Sequence, residues 1–252
     1  MPAVEIPESV DGVLAALGDG AVVLAGGTEV MPRITTQAND VATLVSLRRA
    51  GLAGIEVDGD RVTIGAATTL SAVGADDRLA FLRPVIESIA SPTIRNLATV
   101  GGNLFVQQPY GDLAVALLAL DAQVDVAGGA TRGVASIEPG DLVTAVRFAI
   151  PADFRYTKAM RRRLNSASIV TVAAVLGDHP RLALGGAGRK PIRSTAAEAV
   201  LAAGPLDRAR ADAAGTAALE DAEPFTDAYA SAWYRGRVLP VHVRRALIGD
   251  SA

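Results

Sequence analysis

The apolar run Ala21-Val22-Val23-Leu24-Ala25 ends on a glycine pair, Gly26-Gly27, and turns polar at once through Thr28 and Glu29. A short β-branched run of this kind reads as a buried strand. Two glycines end it and leave a backbone that can turn left-handed or come close to a ligand. The same device recurs at Thr99-Val100-Gly101-Gly102-Asn103-Leu104, with Pro109 and Asp112 behind it. Each loop alone admits a plain reading: a tight turn at Gly26-Gly27, and Asp112 as the N-cap of the next helix. Together they fit a two-sided clamp on one diphosphate ligand, in which successive N–H groups form a concave anion site and the Thr28 hydroxyl adds a donor. Asp112 could then accept from ligand hydroxyls. Neither loop has the G-x-G-x-x-G spacing, and no G-x-x-x-x-G-K-[ST] occurs, so a Rossmann site and a P-loop are both unsupported.

The rest of the chain alternates short strands with helices. Ser9 caps a short helix ending at Gly18, and Thr43 to Leu47 reads as a strand. Ile55 to Val57, a turn at Asp58-Gly59, and Arg61 to Ile64 form a hairpin. Pro84 to Ala90 is helical, Gly101-Gly102 a loop, Asp112 to Leu120 a buried helix, and Gln123 to Val126 and Leu142 to Ile150 are strands. Beyond about residue 153 come three strands, at Tyr156 to Met160, Ile169 to Leu176 and Arg181 to Leu184, which suit a small antiparallel sheet. Helices follow at Thr195, with Thr195 to Glu198 as a capping box, then at Asp207 to Glu220 and Thr226 to Leu247. Strand units followed by a sheet-plus-helix tail make the fold α+β.

Composition removes several functions. With no cysteine, the chain holds no disulfide, thiolate nucleophile or cysteine-ligated cluster. His179 and His242 are far apart and lack ligand spacing, so no metal site and no catalytic residue is expected. A net charge of −3 gives no sign of a nucleic-acid partner. The longest apolar run, Leu113 to Leu120, is far below the roughly 20 residues that span a bilayer. No basic-then-apolar leader opens the sequence, so the expected location is cytoplasmic.

The residues also resemble a family. Ala25 to Glu29 followed by Pro32 resembles the first FAD motif of molybdenum hydroxylase flavoproteins, the family of the carbon monoxide dehydrogenase flavoprotein subunit and the xanthine dehydrogenase FAD domain. Ile94-Arg95-Asn96 leading into Thr99 to Asn103 is similar to the second motif, and Asp112 with Leu117 to Ala122 continues it. Ile64 to Thr69, Glu138-Pro139-Gly140-Asp141-Leu142, Gly185-Gly186-Ala187 with Pro191-Ile192-Arg193, and Trp233 to Leu247 resemble later family segments in the same order. Two stretches depart from the pattern. Only Gly128 to Ile137 precedes Glu138, and Arg161 to Ser166 lacks the acid that often follows Lys158.

The resemblance implies two FAD-binding subdomains of the vanillyl-alcohol-oxidase/PCMH type, about 1–52 and 53–152, and a C-terminal sheet-plus-helix subdomain, 153–252. It implies noncovalent FAD, with Ala25, Gly26, Gly27, Thr28 and Glu29, together with Thr99, Val100, Gly101, Gly102 and Asn103, around the diphosphate and ribityl chain. Asp112 would meet ribityl or nearby polar atoms, Leu142 and Val143 the ring edge, and Lys158 matches a lysine near the flavin. It further implies a large molybdenum–pterin subunit and a small subunit with two-iron, two-sulfur clusters, from which this chain passes electrons to an external acceptor. Phe105 to Tyr110 is a candidate partner surface, against the plainer expectation that Phe105 enters the core. A self-contained FAD oxidase and an FAD-free scaffold are the competing readings.

Overall fold

Three kinds of strand sequence give three sheets in the computed structural model, which describes residues 2–36, 41–162 and 165–249. The first is parallel, with β1 (Ala3–Glu5), β2 (Ala21–Leu24) and β3 (Thr43–Ser46) in the order β1-β3-β2. Parallel neighbours need crossovers, supplied here by α1 (Val10–Ala16) and by the segment holding α2 (Val30–Thr36). Ser9 starts α1, its Oγ accepting from the Gly12 N–H at 3.1 Å. The sequence gives no signal for β1, because this three-residue edge strand is exposed throughout and buries no side chain to mark it.

The second sheet runs β4-β5-β8-β6-β7 and is antiparallel: β4 (Ile55–Asp58), β5 (Arg61–Gly65), β6 (Gln123–Val126), β7 (Ala130–Gly133) and β8 (Val143–Ala149). In β5, Val62 and Ile64 are buried while Arg61 faces solvent, the alternation of a one-faced sheet. Asp58 pairs with Arg61, so the hairpin turns at Gly59-Asp60, one residue later than expected. Five helices accompany this sheet: α3 (Leu70–Ala75), α4 (Arg83–Ser88), α5 (Pro92–Arg95), α6 (Val100–Leu104) and α7 (Asp112–Ala119). All eight residues of α7 are buried. A helix apolar on every side needs cover on every side, and α7 obtains it by packing against α4 and α6 and against three strands of the third sheet.

Those strands belong to β9 (Asp153–Met160), β10 (Ser168–Leu176), β11 (Arg181–Gly185) and β12 (Ile192–Arg193), antiparallel in the order β12-β11-β10-β9. The near-continuous apolar run of β10 reflects burial on both faces, between α7 on one side and α10 (Ala232–Ile248) on the other. α8 (Thr195–Ala202) and α9 (Arg208–Ala217) complete the C-terminal layer.

Two helix starts differ from the sequence expectation. The capping box at Thr195 to Glu198 does not form: Glu198 accepts from the Leu182 N–H and from Arg193, while Asp221 accepts from the Ser194 hydroxyl and the Ala196 N–H. A carboxylate 25 residues downstream of Ala196 thus does the capping. The last helix starts at Ala232 with Ser231 as its cap, not at Thr226, because Asp227 first turns the chain by accepting from the Tyr229 and Ala230 N–H groups. Among the described residues, no helix is long and apolar enough to cross a membrane.

Candidate cofactor site

A cleft of about 930 Å³ is lined by residues from all three sheet units. It brings together Ala25, Gly26, Gly27, Thr28 and Glu29, Thr99, Gly101, Gly102 and Asn103, and Asp112, Leu142, Val143 and Lys158. Val100 is the exception. Its side chain is in the core and its N–H donates to the Thr68 carbonyl at 2.9 Å, so it contributes to packing and not to the cleft.

The first glycine pair divides two tasks. A Cβ on Gly26 would lie 2.0 Å from the Leu97 carbonyl oxygen, so this glycine lets the first unit's loop press on the segment that leads into α6. Gly27 has φ +73°, the left-handed turn that aims the following backbone at the cleft. Among the described residues, the N–H groups of Gly27, Thr28 and Glu29 find no protein acceptor. Three successive free donors of this kind form an anion-binding concavity.

The second pair is built differently from the expected loop. Gly101-Gly102 is the first turn of α6, and neither residue has positive φ. Thr99 caps this helix, accepting from Gly102, while the Gly101 N–H is taken by the Ala66 carbonyl at 2.8 Å. This side therefore offers close approach and few free donors, so the clamp is one-sided at the backbone level. Its unsatisfied group is the buried Asn103 Oδ1, which has no hydrogen-bond partner among the described residues. A buried acceptor left unpaired is costly, and Asn103 is among the residues that line the cleft.

Asp112 is not an N-cap: Gly111 occupies that position and no side chain caps the helix. Its carboxylate instead gathers a buried network. Oδ1 accepts from Ser168 at 2.6 Å and Thr171 at 2.7 Å, and Oδ2 from Lys158 Nζ at 2.8 Å. Lys158 also donates to the Ser88 carbonyl at 2.8 Å. Lys158 and Thr171 are register partners on β9 and β10, which sets them side by side under the start of α7. Tyr156 extends the network through Ser88 Oγ at 2.8 Å. Burial, and after it the Asp112 charge, holds the Tyr156 phenol well above its ordinary range, against the opposing pull of hydrogen bonds with Ser88 and Thr171. Asp112 thus keeps little free acceptor capacity for a ligand, and Lys158 keeps one donor.

The structure adds Arg33, Ala90 and Tyr229 to the cleft, and brings there Tyr110 and Asp141, which the sequence reading named but did not assign to the cofactor site. Phe105 does not enter the core: it is 43% exposed and lines the cleft. Only the proline and aromatic composition of Phe105 to Tyr110 hinted at this. Tyr229 lies 119 residues from its partner Tyr110, beyond any local pattern. Of the Arg161 to Ser166 segment, Arg163 and Leu164 lie outside the described residues. No group of three or more metal-ligating side chains occurs among the described residues.

These features fit a diphosphate-bearing dinucleotide: free N–H donors at Gly27 to Glu29, close backbone approach at Gly102, an acceptor in need of a donor at Asn103, and a cleft of matching size. Residues 3–149 match the family described as FAD binding domain in molybdopterin dehydrogenase, and residues 155–249 the CO dehydrogenase flavoprotein C-terminal domain. The chain belongs to the flavoprotein family of the molybdopterin dehydrogenases. This flavoprotein is 32% identical over 261 residues to the carbon monoxide dehydrogenase medium chain of Afipia carboxidovorans, covering 93% of this chain and 90% of that one. It is 29% identical to the 6-hydroxypseudooxynicotine dehydrogenase complex subunit alpha of Paenarthrobacter nicotinovorans, over 96% of this chain and 92% of the relative. The flavoprotein also superposes on a chain of carbon monoxide dehydrogenase from Hydrogenophaga pseudoflava with a TM-score of 0.90 at 26% identity, covering 98% and 96% of the two chains. Its FAD-binding domain thus comes first, followed by the C-terminal domain of the same family.

Proposed function

We propose that this chain is the electron-transfer subunit of a molybdenum hydroxylase complex, carrying electrons from a partner's iron–sulfur clusters to an external acceptor. The observation that supports this most is the cleft itself: its free N–H donors and unpaired Asn103 acceptor suit binding and orientation of FAD. FAD, when bound, supplies the redox chemistry. The chain's own residues bind and orient it. Gly27 to Glu29 hold the diphosphate through backbone N–H groups, and Asn103 Oδ1 accepts from a hydroxyl or amino group of the cofactor. Leu142 and Val143, both buried, give an apolar wall that excludes water. Lys158, fixed by Asp112 and the Ser88 carbonyl, presents its remaining donor to the cleft.

The partners in this reading are a large molybdenum–pterin subunit and a small iron–sulfur subunit, and the hydroxylated substrate binds outside this chain. In this reading FAD is attached noncovalently, since the commonest attachment residues are not at the cleft: the chain has no cysteine, and His179 and His242 are not among the cleft residues. The test is anaerobic mixing of the FAD-loaded chain with an aldehyde, a purine, an N-heterocycle and carbon monoxide in turn, followed at the flavin absorption band. Unchanged absorbance in the absence of partner subunits is the expected result. Rapid bleaching by any of these substrates would instead make the chain a self-contained flavoenzyme.

A further inference from the structure

Two tyrosines from opposite parts of the chain meet at the cleft. Tyr110 lies in the loop between α6 and α7, where its N–H donates to the Gln107 carbonyl at 3.1 Å. Tyr229 lies in the loop before α10. Both line the cleft. Their rings stand edge to face, with centroids 5.8 Å apart at 86°, and their hydroxyls are hydrogen-bonded to each other. Edge-to-face pairing is a preferred aromatic geometry.

The Tyr229 loop is anchored from beneath. Asp227 accepts from the Tyr229 N–H at 2.8 Å, the Ala230 N–H at 2.9 Å and Arg235 Nη2 at 2.7 Å. Arg235 is fully buried. It donates to the Ile169 carbonyl and lies 4.5 Å over the Phe225 ring. The loop is therefore tied to β10 in the C-terminal unit, while Tyr110 belongs to the FAD-binding unit.

Tyr110 is also close enough to feel the Glu29 carboxylate of the first glycine loop. Its phenol is pushed up to about 12, first by burial, then by the hydrogen bond to Tyr229, with the Tyr229, Glu29 and Asp227 charges adding. The Tyr110 phenol keeps its proton throughout the neutral range, so the link is available whenever the protein works.

We propose that Tyr110 and Tyr229 form a clasp that joins the FAD-binding unit to the C-terminal unit across the cleft and slows departure of the bound cofactor. Asp227 and Arg235 are its positioning residues. This rests on the placement of FAD in the cleft proposed above. A contact between ends 119 residues apart that borders the cofactor must open, or be bypassed, when the cofactor leaves.

The experiment uses the full chain loaded with FAD, and Tyr110→Phe, Tyr229→Phe and the double variant. These substitutions keep both rings and remove only hydroxyls. FAD release is followed after dilution by the rise of free-flavin fluorescence, and the melting temperature of the cofactor-free chain is measured alongside. A lost hydrogen bond of ordinary strength predicts roughly threefold to tenfold faster release in each single variant. The double variant should be no faster than the singles, because both remove one shared contact. Melting temperatures of the cofactor-free chains should fall only by the few degrees that one hydrogen bond is worth, and by the same amount in the singles and the double, which a general loosening of the fold would not produce. Native release rates in both single variants, or additive effects in the double, overturn the clasp while leaving the cofactor site intact. A native chain that takes up no FAD overturns the cofactor placement, and the clasp with it.

Discussion

Valine at position 27 should leave a folded chain that no longer retains FAD. Gly27 sits at φ +73°, where a β-branched side chain is strained. Its new Cβ would meet Leu24 Cδ1 and Met31 Cγ at 3.2 Å each, side-chain and not backbone atoms, which can shift by a few tenths of an ångström. The backbone would relax away from the left-handed turn, and the Gly27 to Glu29 N–H groups would lose their common aim. Losing one or two charge-assisted hydrogen bonds to a diphosphate costs about 2.8 kcal/mol, or about 100-fold in affinity. Gly26→Ala should behave differently, because its Cβ would fall 2.0 Å from the Leu97 backbone oxygen and disturb the packing of the first unit on the second. Circular dichroism and an FAD titration of both variants separate the two effects. A folded Gly27→Val chain with native FAD affinity would remove the diphosphate from this loop.

The second large effect concerns the buried pair. Lys158 and Asp112 side chains are each 3% exposed and 2.8 Å apart. Lys158→Met leaves the Asp112 charge buried with only the Ser168 and Thr171 hydroxyls to hold it. Breaking a buried ion pair from one side is strongly destabilising. The two remaining donors put the expected cost at the low end, about 3 kcal/mol. For a chain of this size that corresponds to a fall in melting temperature of roughly 6–12 °C. Adding Asp112→Asn to Lys158→Met should recover part of the loss, since it removes the stranded charge. Denaturant unfolding of the native chain and the two variants checks this, and a Lys158→Met chain within about 1 kcal/mol of native stability would show that the pair is not what holds this region together.

Much of the site was readable in the sequence because it depends on local chemistry. A strand closed by Gly26-Gly27 must turn there, and the apolar alternation around Val62 and Ile64 fixes a one-faced sheet without any long-range information. What the sequence hid depends on contacts across the fold. Gly101-Gly102 looked like a second loop because glycine is a poor helix former. The Thr99 cap and the Ala66 carbonyl, from a segment 35 residues earlier than Gly101, make it helical instead. That same pairing occupies donors which the symmetric clamp needed free, and it turns Val100 into the core. Asp112 looked like a cap because an acid at a helix start commonly is one. Its partners Lys158, Ser168 and Thr171 come from two strands 46 to 59 residues away. The Thr195 to Glu198 motif failed for the same reason, since Asp221 and Leu182 compete for its groups. The apolarity of Phe105 suits a core residue as well as a partner surface, and the cleft gives it an exposed position.

We expect this cleft to hold one FAD per chain without a covalent bond. Titration of the purified chain with FAD, removal of unbound flavin, and acid precipitation of the complex test it in a single absorbance measurement. Uptake should saturate at one FAD per chain, with all of the flavin in the supernatant after precipitation. A folded chain that takes up none, or flavin that stays with the precipitate, would contradict it.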